Sequence, residues 1–189
     1  MGARSQPMLL LLVSCALATV SAGSGQTTRD GASQATSTAQ ISLTAPLDTP
    51  HLSIRLSTSA PAAAPGAAVT LFVDVTPKPR MHVYAPDQKD YIPVSLTLER
   101  DDAIRAARPS YPKPEKYFFE PLKETQLVYS APFRIAQDVT IESSPPVRER
   151  ARSGNMQAIK GTLRYQACDD TICYMPKNVP VSWSIRLKP

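Results

Sequence analysis

Cys168 and Cys173 stand with four residues between them near the end of a 189-residue chain whose third cysteine is Cys15. A pair at this spacing can form a fixed staple, exchange as a redox couple, or offer soft sulfur to a metal. The spacer Asp169-Asp170-Thr171-Ile172 has the length of an ordinary hairpin loop. Directly opposed residues of an antiparallel ladder have Cα atoms about 4.5–5.5 Å apart, within the window of a disulfide. Closing so short a loop removes little unfolded-state entropy, about 2 kcal/mol on a chain-entropy treatment. A short-loop bond at an edge is, by contrast, open to an incoming thiolate. The residues therefore favour exchange over a purely structural bond, while leaving a non-enzymatic binding module with a structural hairpin disulfide as the alternative.

Asp169 and Asp170 bear on the direction of that chemistry. Carboxylates beside a thiol disfavour its thiolate, which makes Cys168 a slow attacker but a serviceable recipient once oxidised. The motif holds no cation and no helix N-terminus to create the low-pKa thiolate of a strong oxidant. It reads as a passive relay. The two aspartates are also good turn formers, and the two roles are compatible.

Other chemistries are weakly represented. His51 and His82 are far apart in sequence, and His82 in Met81-His82-Val83-Tyr84 reads as a strand-surface residue rather than a base. Zinc would need four ligands at recognisable spacing. Copper(I) suits sulfur and could draw on Cys168, Cys173, Met175, Met81 and His82, but nothing in the spacing demands it. No metal and no organic cofactor is expected. The formal net charge of +5 is spread along the chain without the dense basic patch that nucleic acid requires.

The elements that must position the pair follow from hydrophobic periodicity. Ile159 to Arg164 and Val179 to Leu187 alternate apolar with polar residues, the period of half-buried strands, and place the cysteines at the mouth of a β-hairpin. Upstream, Leu52-Ile54-Leu56, Val69-Leu71-Val73-Val75, Met81 to Tyr84, Val94-Leu96-Leu98, and the runs at 127–129, 133–135 and 139–141 give further strands. Asp101 to Ala107 could hold a helical turn but lacks an apolar face. In 108–122, Pro109, Pro112, Pro114 and Pro121 argue against regular structure around Tyr111, Tyr117, Phe118 and Phe119. That aromatic loop either plugs the end of the fold or covers a site. Ser143 to Asn155, with Arg148, Arg150 and Arg152, reads as a solvated loop. About seven short strands with Pro-rich breaks fit an all-β, immunoglobulin-like antiparallel β-sandwich.

The N-terminus reads as a processing signal. Arg4 precedes the apolar run Met8 to Val13, and Val20-Ser21-Ala22 supplies a peptidase site, so residues 1–22 are expected to be a signal peptide. Leu12-Val13-Ser14-Cys15 resembles a lipobox, which would instead tether the protein to a membrane through Cys15. Residues 23–50 are Ser-, Thr- and Gly-rich, the composition of a flexible leader, and the domain is expected over 51–189. Export places the pair where disulfides form, in the periplasm or outside the cell.

Tyr165-Gln166-Ala167-Cys168, an acidic turn, Cys173-Tyr174-Met175-Pro176 and Val179-Pro180-Val181 together resemble the closing motif of the N-terminal periplasmic domain of the thiol:disulfide interchange protein DsbD. Met81 to Tyr84 resembles the family's short aromatic strand, and Tyr111 to Glu115 through Leu127-Val128-Tyr129 its central loop and following strand. The resemblance implies an immunoglobulin-like fold whose Cys168–Cys173 pair exchanges with periplasmic thioredoxin-like proteins. It makes Cys173 the sulfur that forms the mixed disulfide. It implies a cap drawn from Lys116 to Glu120, with Phe118 or Phe119 covering the pair and the Tyr84 ring packed near it. The chain stops at Pro189, so the expectation is a stand-alone module served by a separate membrane electron donor. The spacer of four, where some relatives have five, implies a different turn.

Overall fold

The computed structural model describes Ile41, Ser42 and residues 45–189. In chain order the strands are β1 (Ile41–Ser42), β2 (Leu47–Asp48), β3 (Leu52–Thr58), β4 (Ala62–Ala63), β5 (Ala68–Pro77), β6 (His82–Tyr84) and β7 (Ser95–Leu98). They continue as β8 (Ile104–Ala106), β9 (Glu115–Phe119), β10 (Glu124–Tyr129) and β11 (Phe133–Ile141). Helix α1 (Pro145–Arg152) then precedes β12 (Met156–Tyr165), β13 (Ala167–Cys168) and β14 (Lys177–Leu187). The alternating runs of β3, β5, β11, β12 and β14 each bury every second side chain, which is what a period of two dictates for a sheet with one face inward.

Two sheets form the sandwich. One runs β1-β3-β5-β11-β8 with β2 also on β3, and the other runs β4-β14-β12-β7. The β4–β14 pairing is parallel, whereas the pairings within the first sheet are antiparallel. Their inner faces meet in one buried cluster. Leu52, Ile54, Leu71, Val73 and Ile135 come from the first sheet, and Ile159, Leu163, Trp183 and Ile185 from the second. Burying a side chain of this size contributes about 1.5–3 kcal/mol. The buried Trp183 donates its indole N–H to the Phe72 carbonyl at 3.3 Å, tying the layers together. This is the all-β, immunoglobulin-like antiparallel arrangement expected from the alternation.

A third sheet, β13-β6-β10-β9, sits on this scaffold. The β12–β14 hairpin pairs from Met156↔Arg186 to Tyr165↔Lys177. Its connection then leaves that ladder, and β13 pairs with β6 in the register Ala167↔Val83 and Cys168↔His82. The cysteine segment therefore belongs to the third sheet. The hairpin only delivers it there.

Three segments differ from expectation. Residues 104–106 form an edge strand on β11 rather than a helical turn; an edge strand needs no continuous apolar face. Residues 115–119 pair fully with β10, because Pro114 and Pro121 flank a five-residue stretch that keeps all its backbone donors. Pro121 itself sits in a 3₁₀ turn over Glu120–Leu122. The Arg148-Arg150-Arg152 segment is helical, with Pro145 and Pro146 opening α1, where a missing N–H costs nothing. Val147 and Ala151, one turn apart, are buried and hold α1 in place. In the stretch read as a leader, β1 and β2 pair with β3. The signal segment 1–22, Cys15 and residues 23–40 lie outside the described residues. Among the described residues no helix is long and apolar enough to cross a membrane.

Candidate functional site

Cys168 and Cys173 are joined as a disulfide with Cα atoms 4.0 Å apart. They face each other across an antiparallel bridge, closer than a regular ladder would hold them. The turn between them is cinched from inside: Asp169 N–H donates to the Ile172 carbonyl at 2.9 Å, and Tyr174 N–H to the Ala167 carbonyl at 2.8 Å. The two sulfurs are in unlike surroundings. Cys168 is 2% exposed, whereas Cys173 is exposed at the protein surface.

Asp169 builds the turn. Its Oδ1 accepts from Thr171 N–H at 2.8 Å, Thr171 Oγ1 at 2.7 Å and Ile172 N–H at 2.9 Å. Its Oδ2 accepts from the Tyr174 hydroxyl at 2.9 Å. These donors, the Thr171 hydroxyl foremost, hold the carboxyl well below the usual carboxylate range. Asp170 points away and pairs with Arg80 at 3.3 Å. The sequence motif lacks a cation, but the fold supplies this one from the β5–β6 turn, where Arg80 adopts a left-handed φ of 67°. Both partners are exposed, so the pair adds little to stability.

Tyr84 touches both sulfurs of the disulfide. Its hydroxyl lies 3.3 Å from Cys173 Sγ and 3.3 Å from Cys168 Sγ. Disulfide sulfurs carry no proton, so the phenol must be the donor. Burial, reinforced by Tyr91 and Glu124, pushes its pKa far up and keeps that proton in place. The ring stacks on Tyr91 at 4.2 Å. Behind it, the Tyr91 hydroxyl donates to Glu124. The Gln126 amide donates to Glu124 Oε1 at 2.6 Å and to the Tyr91 oxygen at 3.2 Å. The same bond raises the Tyr91 pKa and lowers that of Glu124, so the phenol keeps its proton and the carboxylate its charge.

A cavity of about 140 Å³ opens onto the disulfide. Phe119 and Leu122, from the end of β9 and the 3₁₀ turn, line it together with Ile172 of the cysteine turn. Phe118, the neighbouring residue on β9, is 54% exposed and is not among the residues lining the cavity. Strand alternation sends the two rings to opposite faces. Four large apolar side chains in this region face solvent: Phe118, Leu122, Ile172 and Met175, the last 80% exposed.

The family model described as "Thiol:disulfide interchange protein DsbD, N-terminal" matches residues 54–182. The chain belongs to this family. Among solved structures it is similar to the N-terminal periplasmic domain of ScsB from Proteus mirabilis. There the identity is 12%, the match covers 76% of this chain and 49% of that one, and the TM-score is 0.45. It is also similar to the Neisseria meningitidis DsbD N-terminal domain in the reduced form, at 16% identity, with 62% and 82% covered and a TM-score of 0.41. The chain thus spans about half of the ScsB chain it matches. No match to a curated protein was found.

In this DsbD N-terminal family member, the structure brings Cys168, Cys173, Tyr84, Asp169 and Phe119 to one cavity, with Asp170 at its edge on Arg80 and Phe118 turned away. His82 overturns its reading as a strand-surface residue: it is 5% exposed and lines the cavity. The period of β6 already placed it on the same face as Tyr84. Tyr91, Glu124, Gln126 and Leu122 escaped the sequence reading because they converge from the β6–β7 segment, β10 and the 3₁₀ turn, with no shared spacing. His51 is also buried and stacks on Tyr174 at 4.5 Å. Burial pushes its pKa down, helped by Lys177 and Lys78. The sulfurs proposed for copper(I) are bonded to each other, and Met175 stands in solvent, so a copper site would require the reduced pair and a rearranged loop.

Proposed function

We propose that the Cys168–Cys173 disulfide exchanges with thiols of partner proteins, with Cys173 Sγ as the sulfur attacked. The observation carrying this is the unequal exposure of the two sulfurs, 2% for the Cys168 residue against an open Cys173, and family membership supports it. A partner thiolate attacks Cys173 Sγ in line with the S–S bond, a new S–S bond forms, and the old bond's electron pair leaves on Cys168 Sγ. The departing sulfur is the buried one, and the Tyr84 hydroxyl is already in place to donate to it. A second thiolate then attacks the mixed disulfide, releasing the partner oxidised and this domain as a dithiol. Run backwards, the same steps oxidise the domain. Phe119 and Leu122 act as the cover over the bond. Phe118 and Met175 lie outside the cavity as apolar contacts for the partner.

The partners this reading requires are thioredoxin-like proteins of the periplasm and a separate membrane electron donor. Export would follow from the 1–22 segment, with release after Ala22 or tethering through Cys15. The test is a Cys168→Ser variant mixed with oxidised thioredoxin-like proteins and analysed on non-reducing gels and by peptide mapping. Adducts linked through Cys173 are expected; their absence across several partners would overturn the exchange reading. In that event a Cys168→Ser/Cys173→Ser double variant that keeps partner binding would identify a binding module.

A further inference from the structure

Among the described residues lining the cavity, His82 carries a fully buried side-chain polar atom with no partner. Its side chain is almost wholly buried, and its Nε2 has no hydrogen-bond partner among the described residues. A buried polar atom left unpaired costs free energy and calls for a reason. The register supplies one: His82 is the direct antiparallel partner of Cys168. Directly paired residues project to the same face with Cβ atoms about 4.5–5.5 Å apart, and both residues line the cavity. Tyr84, two residues along β6, shares that face and already reaches the sulfurs.

We propose that His82 takes up the proton released by the attacking thiol and holds it beside Cys168 Sγ as an imidazolium–thiolate pair. This rests on the exchange reading and adds to it the fate of the proton. The step balances without an outside acid. The partner R–SH ionises to water and its thiolate bonds to Cys173 Sγ, the electron pair of the broken bond stays on Cys168, and water returns the released proton to His82 Nε2. The products are the R–S–S–Cys173 mixed disulfide, a Cys168 thiolate and a protonated His82. The second exchange oxidises the partner and leaves Cys173 as the new leaving group, able to draw its proton from the second attacking thiol.

The charged and titratable groups around His82 allow this. Tyr84 packs edge-on at 5.9 Å and Tyr117 from β9 at 5.0 Å, and burial keeps the Tyr84 phenol protonated. Asp169 and Asp170, from the cysteine turn, favour the imidazolium, but burial outweighs them and keeps His82 below its usual pKa while the disulfide is intact. Arg80 is bound to Asp170, and Glu124 on β10 is bound to Tyr91 and Gln126. Beside these fixed groups, the new charge that appears on reduction is the Cys168 thiolate. An opposite charge a few ångströms away favours the protonated imidazole. His82 is therefore neutral in one redox state and charged in the other, and its empty Nε2 valence is filled only after the S–S bond opens.

Imidazole resonances of the oxidised and reduced wild-type protein, followed by NMR across pH, test this without any substitution. His82 should titrate about one pH unit or more higher in the reduced protein, while His51 serves as the internal control. Absorbance of the thiolate at 240 nm in a reduced Cys173→Ser variant should show Cys168 ionising at lower pH than in the same variant carrying His82→Phe. The rate of oxidised-protein reduction by glutathione, corrected for the glutathione thiolate fraction, should fall about tenfold or more in His82→Phe. Equal His82 titration in both redox states, with an unshifted 240 nm curve, would overturn the proposal even where Cys173 adducts form. Absence of those adducts would remove the exchange reading itself.

Discussion

Replacing Tyr84 by Phe deletes one oxygen from the site and little else. The ring keeps its stack on Tyr91 at 4.2 Å and its edge contact with His82 at 5.9 Å. The hydroxyl's partners in the oxidised protein are two disulfide sulfurs at 3.3 Å, weak acceptors whose loss should change folding stability by less than about 1 kcal/mol. In the proposed exchange one of those acceptors becomes a thiolate. A hydrogen bond to a charged group contributes about 1.5–3 kcal/mol against about 1 kcal/mol for a neutral pair. The hydroxyl is therefore expected to favour the transition state over the ground state by about 1–2 kcal/mol, or about 5- to 30-fold in rate. The assay is reduction of the oxidised domain by excess glutathione, quenched with an alkylating agent and counted by mass, beside a thermal melt of each protein. A Tyr84→Phe protein with an unchanged melt and a rate within about twofold of wild type would refute the leaving-group role assigned to this hydroxyl.

Phe119→Ala should widen access to the bond and speed attack by glutathione severalfold, whereas Phe118→Ala, on the outer face of β9, should leave that rate unchanged and weaken only the formation of protein adducts. The Asp169 carboxyl is held below its ordinary pKa by its turn donors, so its contribution is present above the ordinary aspartate value of about 3.9 and is lost as pH falls below that toward the lower folded value. Amide exchange at Thr171 and Ile172 should accordingly stay slow down to about pH 4 and quicken in stronger acid, whereas Asp169→Ala should exchange fast throughout; slow exchange in the variant would break the link. Gly161→Ala would set a Cβ 2.7 Å from the Thr97 carbonyl oxygen and 3.0 Å from Leu98 Cδ2, a backbone clash at the β7–β12 seam expected to cost about 1–3 kcal/mol, read as a lower Tm with the glutathione rate preserved.

The sandwich was legible because its long strands obey one rule: β3, β5, β12 and β14 alternate over seven or more residues, and one buried face explains them. Segments whose form is set by a neighbour rather than by their own pattern were not. Residues 104–106 are a strand because β11 offers an open edge, and Glu115 to Phe119 is a strand because β10 lies alongside. Pro145-Pro146 could end one element or begin another, and the burial of Val147 and Ala151 decided for a helix. At the site, the cysteines and the ring of Tyr84 were readable from one motif and one strand. His82 was misjudged because a period-two pattern does not say which face is buried when a strand is three residues long. The Tyr91–Glu124–Gln126 group joins residues more than thirty positions apart, a relation that only the folded sheets create.

Trp183 gives the fold a built-in optical reporter. It is the only tryptophan of the chain, fully buried between the layers, and stands six residues along β14 from Lys177, where the hairpin ladder ends. At about 3.3 Å per residue that is about 20 Å from the start of the cysteine segment. Intrinsic emission therefore watches the packing of the sandwich from a distance at which the S–S bond is not a contact quencher. If emission holds steady while the disulfide is opened and closed, redox change is confined to one end of the molecule. A shift would mean that the two layers themselves register whether the pair is open or closed.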